Sequence, residues 1–161
     1  MVCGALKMDH LELESRLEQL LEPRFFKDYA PNGLQVEGRA QVQRIVTGVT
    51  ASQALVDAAI AHQADAIIVH HGYFWGNEGA AIRGMKKRRL QALLRHDINL
   101  YAYHLPLDAH PELGNNAQLA RLLGIAITGP LEKDNPRSLA LVGELATPMT
   151  AQEFAGLLGS K

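Results

Sequence analysis

Three short apolar runs, residues 44–50, 66–70 and 98–104, set the frame for this chain, with stretches of helical spacing between them. Ser52 can cap a helix to about His62, with Ala54, Leu55, Ala58 and Ala59 on its inner face. Leu90, Leu93 and Leu94 mark the inner face of a second helix, which runs to about His96. Strands that alternate with helices of this length need crossover connections. The expected fold is therefore α/β, a mainly parallel sheet flanked by helices. Ahead of this core, Leu11, Leu13, Leu17, Leu20 and Leu21 recur at helical spacing, with Asp9 as N-cap and Pro23 as the stop. Residues 29–36 read as a loop turned by Pro31-Asn32-Gly33. Behind the core, Asn115 or Asn116 caps a helix stopped by Gly124. Residues 139–145 read as a strand, and Thr150 caps a short final helix.

The second apolar run ends on His70-His71-Gly72, followed by Tyr73-Phe74-Trp75. The third ends on His104, with Asp108 four residues on. In open α/β sheets, ligands bind beyond the carboxyl ends of the strands. If these strands are parallel neighbours, both ends meet on one rim. Histidine and aspartate together suit Zn, Mn, Fe or Ni better than a thiolate site would. A single histidine at a strand end is usually a surface or hydrogen-bonded core residue; the adjacent pair and the His-x3-Asp shift the balance toward metal binding. Successive strand residues face opposite sides. His70 and His71 can therefore share one metal only if the strand breaks at His70, which Gly72 permits; otherwise the pair serves two metals. His10, His62 and His96 lie on or near helix ends and read as structural or solvent-facing.

Lys86-Lys87-Arg88-Arg89 reads first as a solvated helix face and second as a grip for a phosphate-bearing small molecule. Tyr73-Phe74-Trp75 suits either a wall over the site or a subunit contact. Composition is ordinary for a globular chain, 47% hydrophobic and 20% charged. A formal net charge of −1 and a cationic run without interleaved aromatics argue against nucleic acid as partner. No apolar run reaches the length of a membrane span. A lone cysteine, Cys3, and a start without a basic-then-apolar leader make the cytoplasm the expected location.

The stretches 29–36, 45–50, 66–75 and 103–116, in that order, resemble the NGG-one-interacting-factor-three-like family, whose bacterial branch is the YbgI group. Its members are often described as GTP cyclohydrolase I type 2 homologues. The resemblance runs from about Leu11 to Leu158. It implies the first lobe of a two-lobed α/β metal-binding fold, and a centre of two divalent metal ions in a toroidal homohexamer. It makes His70, His71 and Asp108 metal ligands, and places His104 at the active site, where it could shuttle a proton. Asn32 and Gly33 match the family's loop signature. The family's closing His-x3-Glu is absent, so the chain is expected to be a truncated member that holds two, one or no metals.

Residues 1–8 are then expected to be a disordered or non-native leader, 9–128 the α/β metal-binding domain, 129–138 a linker-like loop and 139–161 the start of a truncated continuation. The expected function is that of a dinuclear-metal-dependent hydrolase. The alternative is a metal-stabilised oligomeric scaffold or regulatory protein without turnover.

Overall fold

The computed structural model describes residues 7–161. Cys3 and most of the expected leader lie outside them. Strand β1 (Met8–Asp9) leads into helix α1 (His10–Leu21), whose N-cap is Asp9: its carboxylate accepts from the Leu11 amide. A 3-10 turn (Pro23–Phe25) follows, then β2 (Gly33–Val36), β3 (Gln41–Val42) and β4 (Ile45–Thr50). Helix α2 (Gln53–Ala61) is capped by Ser52, whose hydroxyl accepts from the Leu55 amide. Next come β5 (Ala66–His71), α3 (Gly84–Arg95) and β6 (Asn99–Ala102). These elements belong to the first of two compact units, which ends at His104.

The unit is built on a four-stranded sheet in the order β2-β6-β5-β4. β4, β5 and β6 run parallel, and β2 pairs antiparallel with β6. Met8, expected in the leader, instead pairs with Val42. The core forms where α2 and α3 meet the sheet. Val56, Ala59 and Leu93 are fully buried there with Ile67 and Leu100. Every residue of β6 is buried, as a strand covered on both faces must be. Tyr101 serves the face toward α1, where its hydroxyl donates to the His10 carbonyl oxygen at 2.9 Å.

The second unit begins at Leu105. It holds α4 (Leu105–Ala109), α5 (Asn115–Leu123), β7 (Ile125–Pro130), β8 (Leu141–Leu145) and α6 (Ala151–Gly159). β7 and β8 form an antiparallel pair. The N-cap of α5 is Gly114; Asn115 is its first residue. A Cβ at Gly114 would collide with the His110 carbonyl oxygen and lie 2.8 Å from those of Leu107 and Asp108, so only glycine fits there. Thr150 and Glu153 complete a capping box on α6. The unit boundary falls at 104/105, ahead of the 129–138 stretch expected as a linker, and β7 runs into that stretch as far as Pro130.

Candidate metal centre

The parallel strands end on the histidines. β5 carries His70 and His71, and His104 follows β6 by two residues. One ligand atom from each of these three residues lies within 4.8 Å of the other two. The ring centroids of His70 and His71 are 4.3 Å apart. His104 lies 4.9 Å from the first and 5.6 Å from the second.

Each Nδ1 has a different partner. That of His70 is 3.2 Å from the Tyr103 carbonyl oxygen, that of His71 is 3.1 Å from Thr50 Oγ1, and that of His104 is 2.7 Å from Asp28 Oδ1. A carbonyl and a carboxylate only accept, so His70 and His104 donate from Nδ1, which leaves Nε2 as the atom that could face a metal. Imidazole nitrogens suit zinc, iron or nickel. His70, His71 and His104 would hold such an ion through one ring nitrogen each. The residues present fit a divalent metal.

The His70 and His71 rings meet despite the alternation expected of a regular strand. Ile67 and Val69 point into the core cluster, and regular alternation would send His71 with them, away from His70. The strand runs through both residues, yet their rings meet at 45°. The reason lies in the ladders. β5 pairs with β6 only as far as Val69–Ala102, while its pairing with β4 continues to Thr50–His71. Beyond Val69 the strand is held on one side, and its end can turn. Gly72 acts through space. A Cβ there would collide with Gln35 Oε1 and lie 2.5 Å from the Ala102 Cβ.

The loop 28–35 supplies what the sequence reading missed. The Asp28 side chain is only 3% exposed although it carries a carboxylate. Its Oδ2 accepts from Asn32 Nδ2 at 3.0 Å, and Asn32 Oδ1 accepts from the His104 amide at 2.8 Å. Asn32, carried over from the family's loop signature, thus has a definite place. Asp28 stands four residues before it; the available signal was an acid just upstream of a Pro-Asn-Gly turn. Thr50 was legible only as a strand end.

Asp108 belongs to the second unit, where its Oδ1 accepts from Asn115 Nδ2 at 2.7 Å. His110 caps a turn, its Nδ1 accepting from the amides of Glu112 and Leu113. His62 and His96 are C-caps of α2 and α3. The aromatic run divides three ways. Tyr73 is buried, its hydroxyl donating to the Ala51 carbonyl oxygen, and burial pushes that hydroxyl up to about 12 against the opposing charge of Arg89. Phe74 lies under the Lys86 ammonium. Trp75 meets the His104 ring edge-to-face at 5.0 Å and the His71 ring at 5.9 Å. Trp75 therefore lines the histidine centre.

A cleft of about 610 Å³ opens at the opposite end of the strands, lined by Arg39, Arg44, Asp65 and His96 among others. Its polar groups are bound to one another. Asp65 accepts from the amides of Gln43 and Arg44 and from Arg39 Nη1, while Arg39 and Arg44 also donate to the His96 and His62 carbonyl oxygens. These contacts tie down helix ends.

A mainly parallel α/β sheet with three imidazoles gathered beyond its carboxyl ends defines an α/β protein with a histidine centre able to hold a metal. The family described as Duf34/NIF3 (NGG1p interacting factor 3) matches residues 8–161, and the chain belongs to it. A Vibrio cholerae relative named GTP cyclohydrolase 1 type 2 homolog is 59% identical over 152 residues, covering 94% of this chain and 60% of that protein. The Yersinia pestis protein of the same name is 65% identical over 144 residues, covering 89% and 56%. Among solved structures, protein ybgI, described as of unknown function, matches with a TM-score of 0.90 at 57% identity, over 95% of this chain and 60% of that one. A Thermus thermophilus protein, TTHA1606, matches at 0.83 and 41% identity, over 95% and 61%. Reduced HcgD from Methanocaldococcus jannaschii, at 0.79 and 20% identity over 98% and 61%, shares the fold. The chain spans about 60% of the length of the first of these relatives.

Proposed function

We propose that this chain carries metal-binding residues of a metal-dependent hydrolase. The convergence of His70, His71 and His104, each with its Nδ1 engaged behind the ring, is the observation that carries the reading. His70, His71 and His104 would hold the ion through nitrogen. The resemblance adds Asp108 as a carboxylate ligand and a second ion. When bound, a divalent metal supplies Lewis acidity and a hydrolytic nucleophile at neutral pH. The chain's own part is to fix the ligand rings and to border the site with Trp75. A phosphate-bearing small molecule is the substrate class that suits a metal site together with Lys87 and Arg88, both exposed on α3. We carry the homohexamer of the resemblance as the proposed assembly, tested by sedimentation.

A second reading keeps His70 and His71 as ligands and makes His104 the group that moves a proton. The 2.7 Å pairing with Asp28 favours it, since a carboxylate behind an imidazole is also how a general base is oriented.

Elemental mass spectrometry of the purified protein beside His71→Ala, His104→Ala and Asp108→Asn tests these assignments. Metal in the unaltered chain that is lost in His71→Ala supports the centre. Loss in His104→Ala makes His104 a ligand; retention there, with hydrolysis abolished, makes it the proton carrier. No metal in any of them overturns the reading.

A further inference from the structure

We propose that Trp75 and Tyr29 select the shape of the substrate: beside the histidine centre they offer aromatic faces to a ligand that carries a flat, conjugated ring. The inference rests on the reading of the histidine end as the substrate site, and holds whichever side chains ligate an ion there. Two loops bring the rings together. The Trp75 ring lies 5.0 Å from that of His104 and 5.9 Å from that of His71, and the Tyr29 ring lies 6.2 Å from that of His104. The loops are also tied to each other. The Gly76 amide donates to the Tyr29 carbonyl oxygen at 2.7 Å, and the Tyr73 amide donates to Gln35 Oε1, whose Nε2 donates in turn to the Pro31 carbonyl oxygen.

Backbone strain aims Trp75. Among the described residues, Glu22, Gln63, Phe74 and Asp97 have positive φ without being glycine. Glu22 is the C-cap of α1, and Gln63 and Asp97 follow the C-caps of α2 and α3, where a left-handed residue ordinarily closes a helix. Phe74, at φ 64°, closes no helix. A bulky side chain in that region is an outlier, and such residues gather at active sites and ligand clamps, where their surroundings hold them. Here the hold is visible. Tyr73 is anchored through its hydroxyl on the Ala51 carbonyl oxygen, and the Lys86 ammonium sits over the Phe74 ring. The strained turn lets one ring enter the core while the ring two residues on faces the histidines. Tyr29 is the second observation. Its ring is 70% exposed, yet its amide donates to Asp28 Oδ1 and its carbonyl oxygen accepts from Gly76. A fixed backbone thus carries an open aromatic face at the edge of the site. Aromatic faces favour other flat rings over puckered rings of the same size, because the rings' charge distributions match.

The test compares phenyl phosphate with cyclohexyl phosphate, and benzyl alcohol with cyclohexylmethanol, on the full chain with zinc present. Ligand-observed NMR reads Kd in the unaltered protein, Trp75→Leu and Tyr29→Ala, with circular dichroism as a check on folding. Trp75 is the chain's one tryptophan, so its fluorescence reports contact at the site directly. The expected result is that the flat member of each pair binds about 2–10-fold tighter and shifts the Trp75 emission, and that this preference shrinks toward unity in both variants. Equal binding of the two esters by the unaltered protein would overturn the ring site and leave the phosphate-bearing substrate standing. A preference that survives intact in both variants would overturn it too, by placing the ring elsewhere. Ring preference between the alcohols, with neither ester bound, would support the ring site and overturn the phosphate-bearing substrate. Binding of none of the four probes would overturn the ring site, and the metal analysis above would then judge the hydrolase reading alone. Should Trp75→Leu fail to fold, Tyr29→Ala decides, since that ring is largely exposed.

Discussion

A methyl group on Gly72 would press on Gln35 Oε1 and on the Ala102 Cβ together. Gln35 cannot easily swing aside: its Oε1 accepts from the Tyr73 amide at 2.6 Å and its Nε2 donates to the Pro31 carbonyl oxygen at 2.8 Å. Gly72→Ala should therefore destabilise the protein by about 1–3 kcal/mol, the usual cost of overpacking, measured as a lower urea midpoint. An unchanged midpoint would show that Gln35 yields freely. Asp65, at the far end of β5, makes a pH prediction. Burial works to raise its carboxyl, but the Arg44 and Gln43 amides and the Arg39 guanidinium outweigh burial and hold it below the ordinary 3.8. A carboxyl lowered on folding contributes stability in full above its unfolded value. That contribution fades as pH falls from about 3.8 through the lower folded value. Asp65→Asn should be less stable than the unaltered protein at neutral pH, and its stability should fall less steeply on acidification below that point. Parallel slopes for the two proteins would refute the assignment.

Caps and strands show which elements a sequence reveals. Asp9, Ser52 and Thr150 were each legible as caps, because a cap is a bond between residues two or three apart. Ser52→Ala should cost about 1 kcal/mol, since it strips an acceptor from a helix whose Val56 and Ala59 are wholly buried. Thermal melting checks this, and an unmoved transition would mean that another group takes over the cap. β2 and β7 were missed for the opposite reason. Gly33–Val36 follows a strong turn signal and is a strand only because β6 lies beside it. Gly129 and Pro130 look like linker residues and are a strand because β8 pairs with them. The candidate site divides along the same line. His70, His71 and His104 stood out as strand ends, whereas the partner that matters to His104 lies 76 residues away in the chain. No local pattern encodes that distance.

At the scale of the molecule, a metal held by the histidine centre would tie binding to folding. A ligand that binds only the folded chain stabilises it by about 2.7 kcal/mol at a hundred times its Kd. Zinc at that excess should raise the urea midpoint of the full chain, and His71→Ala should abolish the rise. An equal rise in both proteins would place the zinc elsewhere. The circuit of Asp28, Asn32 and His104 has a further consequence in time. It cannot close until the ribosome has made the 76 residues that separate its ends. At about 5–20 residues per second, that interval is roughly 4–15 s. Throughout it the chain displays a carboxylate, an amide and, late on, a pair of histidines without the third. A nascent chain that meets a metal ion in those seconds meets it before the three imidazoles have come together.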